Sequence, residues 1–507
     1  MPEALAPGSA APRYDYARGY LDLERLRAPS GPANTNGFGA REENDFRTAA
    51  NDPLSTFGID VDTASYSIVR RMIREGERPP TGAVRIEELV NYFPYAYPEP
   101  SDGRPFSVTT EVAAAPWAPA HRLVRIGLRA KSLDARDRVA DNLVFLIDVS
   151  GSMQSPDKLQ LLVQSMNLLV DQLEAKDRVA IVVYAGNTGL VLPPIAGDRR
   201  AEIREALGRL SAGGSTNGGA GIELAYATAR KSFVTGGNNR VILCTDGDFN
   251  VGVSSQSELV ERIEQHAKEG IFLSVLGFGL GNLKDDTMEK LADRGNGNYA
   301  YIDTLAEARK VLVQQAGGTL VTVAKDVKIQ VEWNPAQVAG YRLIGYENRL
   351  LAAQDFNDDE KDAGEIGAGH TVTALYEVIP AGAGESLPTT DPLKYQPTRG
   401  ATSASASGEL CTVKLRYKEP QGSESVVFDT AVADAGTAFE AASPDFQFAA
   451  AVAEFGMLLG HSKYAGSASF DSVMAIAERS RGADPYGYRG EFRTIAAQAR
   501  DLVASAE

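Results

Sequence analysis

The sequence predicts an α/β protein: a doubly wound domain on a parallel sheet, inserted between β-rich flanks and followed by a helical tail. Three observations carry this expectation. Between residues 142 and 317, short apolar runs alternate with segments of helical spacing. Those runs are apolar rather than alternating, as expected for strands buried on both faces. On either side the apolar residues alternate with polar ones, and from Ser443 onward they follow the helical period.

The elements follow in order. Residues 1–50 are rich in Ala, Pro, Gly and Asn, with isolated aromatics at Tyr14, Tyr16 and Tyr20, and read as a flexible arm. Residues 51–140 form a first flanking unit of helices, then strands. Segments 63–75 and 83–92 have helical spacing (Ile68 with Met72; Val84 with Leu89 and Val90) and are parted by Pro79-Pro80. Segments 106–113 and 121–130 read as strands, with Val124, Ile126 and Leu128 alternating. Residues 141–318 are the doubly wound unit. Its strand runs are 143–147, 179–184, 241–244, 271–277 and 299–302. Its helices are 158–173, 199–210, 219–233, 258–269, 285–293 and 305–315. Residues 319–435 return to β. Val327, Ile329 and Val331 alternate, segments 372–378 and 410–417 read as strands, and a Gly/Ala/Ser/Thr/Pro-rich loop spans 381–408. Strands 106–130 and 327–417 are expected to pair into one β-sandwich interrupted by the doubly wound domain. Residues 436–507 are helical. Ser443-Pro444 supplies a cap and a first-turn proline, and Phe448, Val452, Phe455 and Leu459 form one stripe. Helices 470–481, ended by Gly482, and 490–505 complete the tail.

Composition excludes several function classes. A chain of 507 residues is long enough for two to four units. With Lys+Arg 51 against Asp+Glu 67, the net charge of -16 opposes binding to nucleic acid or anionic lipid through a general basic field. Two cysteines, Cys244 and Cys411, cannot build a disulfide scaffold or a Cys-rich metal site. The histidines His121, His266, His370 and His461 are too scattered for a His-built site. No run reaches the roughly 18 apolar residues of a membrane helix. The first residues lack the basic start and apolar core of a secretory signal. That points to a cytoplasmic protein, or to a signal segment missing from this sequence.

The chemistry lies at the ends of the buried strands. The run 143–147 leads into Asp148-Val-Ser150-Gly-Ser152-Met153, where an open α/β sheet places ligands. Gly151 permits a tight turn there. Gly213-Gly-Ser-Thr216 precedes one helix, and the run 241–244 ends in Thr245-Asp246-Gly247. If these loops share an edge, two carboxylates and three hydroxyls converge. An oxygen-only set suits Mg²⁺, Mn²⁺ or Ca²⁺ rather than zinc or copper. Two carboxylates balance a divalent charge. Neutral hydroxyls leave the ion attractive to an incoming anion.

On these residues the chain resembles von Willebrand factor A domain proteins. Asp148, Ser150, Ser152, Thr216 and Asp246 match their metal-ion-dependent adhesion site. The resemblance covers residues 142–317. It implies a Rossmann-like fold and Mg²⁺ binding, with Mn²⁺ or Ca²⁺ as alternatives. It further implies direct ligation by Ser150, Ser152 and Thr216, and water-mediated contact from Asp148 and Asp246. The flanks are similar to a bacterial subgroup loosely called calcium-activated chloride channel homologues. The strings that carry this are Asn51-Asp-Pro-Leu-Ser-Thr-Phe-Gly-Ile-Asp-Val-Asp-Thr-Ala-Ser-Tyr-Ser, Arg85-Ile-Glu-Glu-Leu-Val-Asn-Tyr-Phe-Pro-Tyr, Tyr346-Glu-Asn-Arg-Leu-Leu and Gly367-Ala-Gly-His370-Thr-Val-Thr-Ala-Leu-Tyr-Glu. Members often carry a lipoprotein signal, which implies an extracytoplasmic place at the periplasm or cell surface. No transmembrane segment supports a channel in this chain.

Other features carry bland readings beside the sharp ones. Ser152 or Ser155 could cap a helix starting near Pro156. Asp60-Val-Asp62-Thr63 suggests an aspartyl-phosphate phosphatase, but residues 53–59 make a poor strand and Ala64 stands where a hydroxyl is needed; capping of the next helix by Asp62 or Thr63 is preferred. Residues 355–365 are acidic, yet Glu360 and Ile366 occupy the EF-hand positions of Gly and Glu. A solvated loop is preferred there to an irregular calcium site. Asp248 and Asn250 could rim the metal site. Cys244 reads as a buried thiol, and His370 as a structural hydrogen-bonding residue.

The expected function is a non-enzymatic, metal-dependent binding module, the cation taking an Asp or Glu of a partner protein. Movement of the last domain helix, 305–315, would couple binding to affinity. The alternatives are a structural envelope component with a metal-stabilised fold, and a metal-assisted hydrolase.

Overall fold

A computed structural model describes residues 36–39, 42–59, 62–132, 138–215, 218–247, 256–315, 321–359, 361, 363–385, 387, 402–420 and 422–505. Along the chain, strands β1 (Arg47–Thr48) and β2 (Leu54–Gly58) precede helices α1 (Ala64–Arg74) and α2 (Ile86–Asn91). Strands β3 (Phe106–Ala115) and β4 (Ala118–Ala130) follow. The doubly wound domain then runs β5 (Asp141–Asp148), α3 (Leu161–Val170), β6 (Arg178–Tyr184), β7 (Thr188–Ala196), α4 (Arg200–Gly208), α5 (Gly218–Lys231), β8 (Asn238–Thr245), α6 (Gln256–Lys268), β9 (Ile271–Phe278), α7 (Asp285–Arg294), β10 (Tyr299–Ile302) and α8 (Leu305–Arg309). Next come β11 (Thr322–Trp333), β12 (Val338–Ile344), β13 (Leu350–Leu351), β14 (Ile366–Gly367), β15 (Thr371–Pro380), β16 (Glu409–Lys418) and β17 (Ser425–Ala433). Helices α9 (Pro444–Leu459), α10 (Phe470–Arg479) and α11 (Tyr488–Ala504) close the chain.

The doubly wound sheet has the order β10-β9-β8-β5-β6-β7, parallel except for β7. Every residue of β5 is buried. Its two faces feed separate apolar cores: Val144 and Leu146 point to one, Leu143, Phe145 and Ile147 to the other. The edge strand β7 was not expected. Its Pro193 and Pro194 hid it, and an edge is where a strand tolerates proline.

The strands before and after this domain share sheets. One sheet is β1-β12-β15-β4-β3, so β4 from before the insertion pairs antiparallel with β15 from after it. The other is β13-β2-β11-β16-β17. Their apolar residues, including Val124, Tyr341, Tyr376, Trp333 and Val413, form one core. Contrary to the sequence expectation, 54–58 is a strand. It is paired by β11 and β13, and its awkward hydroxyls are satisfied from afar. Tyr376 donates to Ser55 Oγ at 2.8 Å, and Gln330 Nε2 donates to Thr56 Oγ1 at 2.9 Å. β12 and β17 also escaped the sequence reading. The first buries Arg342 against Glu377 at 2.7 Å; the second is an outer strand with Val426 and Val427 exposed.

Two further expectations change. Residues 42–50 are docked rather than a loose arm: Asn44 Nδ2 donates to the Leu343 and Gly345 carbonyls, and β1 pairs with β12. Helix α9 is not apolar on one stripe alone. Every residue from Phe446 to Met457 is buried, because α2, α10, α11 and the sandwich enclose it. Ser443 caps it: its Oγ accepts the Phe446 N–H at 3.2 Å and donates to Glu111 at 2.6 Å. Ser443→Ala is expected to cost about 1 kcal/mol, read as a lower urea midpoint. Among the described residues no helix is long and apolar enough to cross a membrane.

The doubly wound domain is tied to the flanks by buried charge. Asp285, Glu289 and Asp293 lie at i, i+4 and i+8 on α7, hence on one face. Arg85 reaches Asp285 and, at 2.9 Å, Glu289; Arg349 pairs with Asp293 at 2.6 Å. At the last helix, Arg70 pairs with Asp303 and Glu307, while Lys310 donates to the Tyr92 carbonyl at 2.7 Å. Burial pushes Lys310 down to about 7.

Candidate metal centre

The sheet order places a switch point between β5 and β8. The chain leaves β5 for β6 on one side and later returns to β8 on the other. The crevice at the carboxyl ends of these strands is where open α/β sheets hold ligands. Asp148 ends β5 and Asp246 follows β8, and both carboxylates are fully buried.

Asp148 is held by neutral donors. The Ser150 N–H reaches Oδ1 at 2.8 Å; the hydroxyls of Tyr184 and Thr245 reach Oδ2 at 3.2 and 3.3 Å. Tyr184 stands opposite Asp148 in the β5–β6 register, which sets its hydroxyl beside the carboxylate. Burial pushes Asp148 up to about 6, with the hydrogen bonds from Ser150 and Tyr184 opposing and the charge of Asp246 adding to the rise. The same burial holds the Tyr184 phenol well above its ordinary range.

The hydroxyls of Ser150 and Ser152 lie 3.0 Å apart. The loop that leads to Thr216 is stitched onto theirs: Gly213 N–H donates to the Val149 carbonyl at 2.7 Å, and Gly151 N–H to the Gly214 carbonyl at 3.0 Å. Thr216 itself lies outside the described residues, as do Asp60, Asp248 and Asn250. Gly151 is not in the left-handed region, and a Cβ there would make an ordinary contact with the Gly214 oxygen at 3.4 Å, so the turn itself does not require glycine. Gly247 does need glycine: its φ is 102°, and a Cβ would meet the Lys284 nitrogen at 2.6 Å.

Asp148, Ser150, Ser152 and Asp246 thus meet at one edge of the sheet. The donor set fits a hard divalent cation. It is oxygen throughout, and the charge of Asp246 adds to the cost of ionising Asp148. Helix capping does not account for the hydroxyls. Ser152 bonds Ser150, and Ser155 Oγ donates to Asp157 at 2.5 Å, leaving the turn at Pro156 without a side-chain cap.

Sequence reasoning missed three groups. Tyr184 and Thr245 looked like strand ends. Lys158 looked like part of a helix over 158–173, yet α3 starts only at Leu161, and the preceding turn from Pro156 is broken at Lys158. Its Nζ pairs with Asp246 Oδ2 at 2.7 Å.

The remaining sites resolve to structure. Asp62 accepts the Tyr299 N–H at 2.7 Å. Cys244 is buried, and burial raises its thiol. His370 is pushed down to about 4 by burial, and its carbonyl accepts the Ala130 N–H at 2.8 Å. In the acidic loop Asp359 pairs with Arg416 at 2.9 Å and accepts from Ser425, while Asp355 accepts the Ala352 N–H. Among the described residues no group of three His, Cys, Asp or Glu could hold a metal there.

Known proteins match this architecture in three blocks. The profile of the von Willebrand factor type A domain matches residues 142–315, that of von Willebrand factor matches 32–125, and that of "Uncharacterized protein YfbK, C-terminal" matches 318–502. A protein of Escherichia coli (strain K12), "Uncharacterized protein YfbK", is 44% identical over 458 residues, 89% of this chain and 79% of its own length. The magnesium-chelatase 60 kDa subunit of Cereibacter sphaeroides is 30% identical over 196 residues, covering 36% of this chain and 34% of that subunit. A solved von Willebrand factor type A protein from Catenulispora acidiphila covers 77% of this chain and 90% of its own at 18% identity, with a TM-score of 0.40. Domains of the A type serve in general as protein-interaction modules. With its A domain set between the same flanks along nearly the whole chain, this protein belongs to the YfbK family of von Willebrand factor A domain proteins.

Proposed function

We propose that the chain is a metal-dependent protein-binding module, acting as an adhesion or scaffold component rather than a catalyst. Asp148, Ser150, Ser152, Thr216 and Asp246 would hold a divalent cation, Mg²⁺ before Mn²⁺ or Ca²⁺. The bound ion would supply a positive charge able to take an Asp or Glu side chain of a partner. The observation that carries this reading is the pairing of two fully buried carboxylates with two hydroxyls 3.0 Å apart at the switch point of the sheet. Buried carboxylates are costly unless a cation is near. The chain's own residues contribute in different ways. Tyr184, Thr245 and the Ser150 N–H orient Asp148, and the serine hydroxyls remain neutral, so the ion keeps most of its charge for an anion.

The test is partner capture on the immobilised chain with and without EDTA, read by mass spectrometry, with circular dichroism to follow the fold. Capture should vanish in EDTA and return with Mg²⁺ while the fold persists. Asp148→Asn capturing the same proteins as the wild type would reject the reading.

A further inference from the structure

Lys158 is the cation that the structure sets against Asp246, and the chain goes to some length to put it there. The backbone at Lys158 has φ −115° and ψ −105°, which breaks the helical path between Pro156 and α3 and turns the side chain inward. The residue is buried, although lysine rarely is. Its methylene stem runs over Gly279, directly after β9, at φ 72°, where any Cβ would overlap the stem. The ammonium then meets Asp246 Oδ2 at 2.7 Å. A lysine ammonium is a compact point charge on a flexible stem, able to approach a carboxylate and to withdraw from it.

We propose that Lys158 is a resident counter-ion of the metal centre: its ammonium and the divalent cation compete for Asp246, and loading the metal releases the lysine. The inference rests on the reading of Asp148, Ser150, Ser152, Thr216 and Asp246 as a metal centre. The physical ground is that two cations at one buried carboxylate repel strongly where water screens little. A chain without Lys158 would lack this ammonium beside the buried Asp246 until metal arrived. With it, Asp246 stays neutralised in the metal-free state, and metal affinity is lowered by the work of displacing the ammonium. The competition makes the centre reversible over the range of ambient metal rather than permanently loaded.

The test is Mg²⁺ titration by calorimetry on the full wild-type chain and on Lys158→Met, whose side chain can follow the same path over Gly279. Lys158→Met is expected to bind Mg²⁺ at least tenfold tighter. It is also expected to melt below the wild type in EDTA and level with it in saturating Mg²⁺. Equal or weaker Mg²⁺ binding by Lys158→Met overturns the inference, since it would make Lys158 a support for Asp246 rather than a competitor. A second measurement needs no variant. Acetylation of wild-type lysines, mapped by mass spectrometry, should modify Lys158 several-fold more in Mg²⁺ than in EDTA; equal modification overturns the inference. A wild type that binds none of Mg²⁺, Mn²⁺ and Ca²⁺ removes the metal-centre reading itself. A wild type that binds, with Lys158→Met binding no tighter, removes only the role of Lys158.

Discussion

Arg85→Met should lower the stability of the assembled chain by about 3–5 kcal/mol, the cost of leaving buried charges without their partner. The guanidinium is fully buried and serves four carboxylates: Asp285, Glu88 at 3.0 Å, Glu289 at 2.9 Å and, at 3.5 Å, the exposed Asp286. Its loss leaves Asp285 and Glu88 without this cation in low-dielectric surroundings, while Glu289 keeps Arg349 at 3.4 Å. Burial already raises the carboxyls of Glu88 and Glu289 despite Arg85, whose charge opposes the rise. Without the cation their folded-state pKa values climb further above the unfolded ones. A carboxyl raised on folding destabilises the fold once pH exceeds its unfolded value, and the penalty grows until pH passes the folded value. The defect of Arg85→Met is therefore larger at pH 8 than at pH 5. Differential scanning calorimetry at both pH values checks this, and a defect of equal size at the two would contradict it. Because Arg85 comes from the segment before the doubly wound domain and Asp285 from within it, the variant should loosen their docking first.

Asp148→Asn should weaken Mg²⁺ binding while leaving the metal-free fold as stable as the wild type or more so. A residue that reaches the ion through water should cost about 10- to 100-fold in Mg²⁺ affinity when lost. The stability sign is opposite to that of Arg85→Met. Burial raises Asp148 from 3.8 to about 6, so at pH 7.5 its ionised form opposes folding by about 3 kcal/mol. An amide at 148 can still accept the Ser150 N–H through Oδ1, and its Nδ2, standing where Oδ2 stood, can donate to the hydroxyl oxygens of Tyr184 and Thr245, without the charge. The metal-free variant should therefore melt higher than the metal-free wild type at pH 7.5. The gain should shrink below pH 6, where the wild-type carboxyl takes up its proton. Melting curves in EDTA at pH 7.5 and 5, beside Mg²⁺ calorimetry, decide it; a variant that melts lower in EDTA at pH 7.5 would refute the argument.

Part of this was legible in the sequence because it is local. A strand buried on both faces is apolar rather than alternating, so β5, β6, β8, β9 and β10 announced themselves. Oxygen-bearing residues directly after two such strands let the sequence place Asp148, Ser150, Ser152 and Asp246 at one edge of the sheet. The three carboxylates of α7 also stand at one-face spacing, though their partners cannot be read that way: Arg349 lies 56 residues beyond Asp293 and Arg85 lies 200 before Asp285.

Only the tertiary structure decided the rest. Leu54–Gly58 became a strand because Tyr376 and Gln330 satisfy its buried hydroxyls, a supply that no window around residue 54 contains. The flanks share sheets because β4 and β15, about 250 residues apart in sequence, find each other in register. Lys158 has the spacing of a helix residue, and only a backbone break, a glycine notch on β9's exit and a carboxylate beyond β8 turn its charge into the site. Periodicity reports which face of an element is buried. It does not report which distant group will balance a buried charge, because that balance is made between elements and not along one.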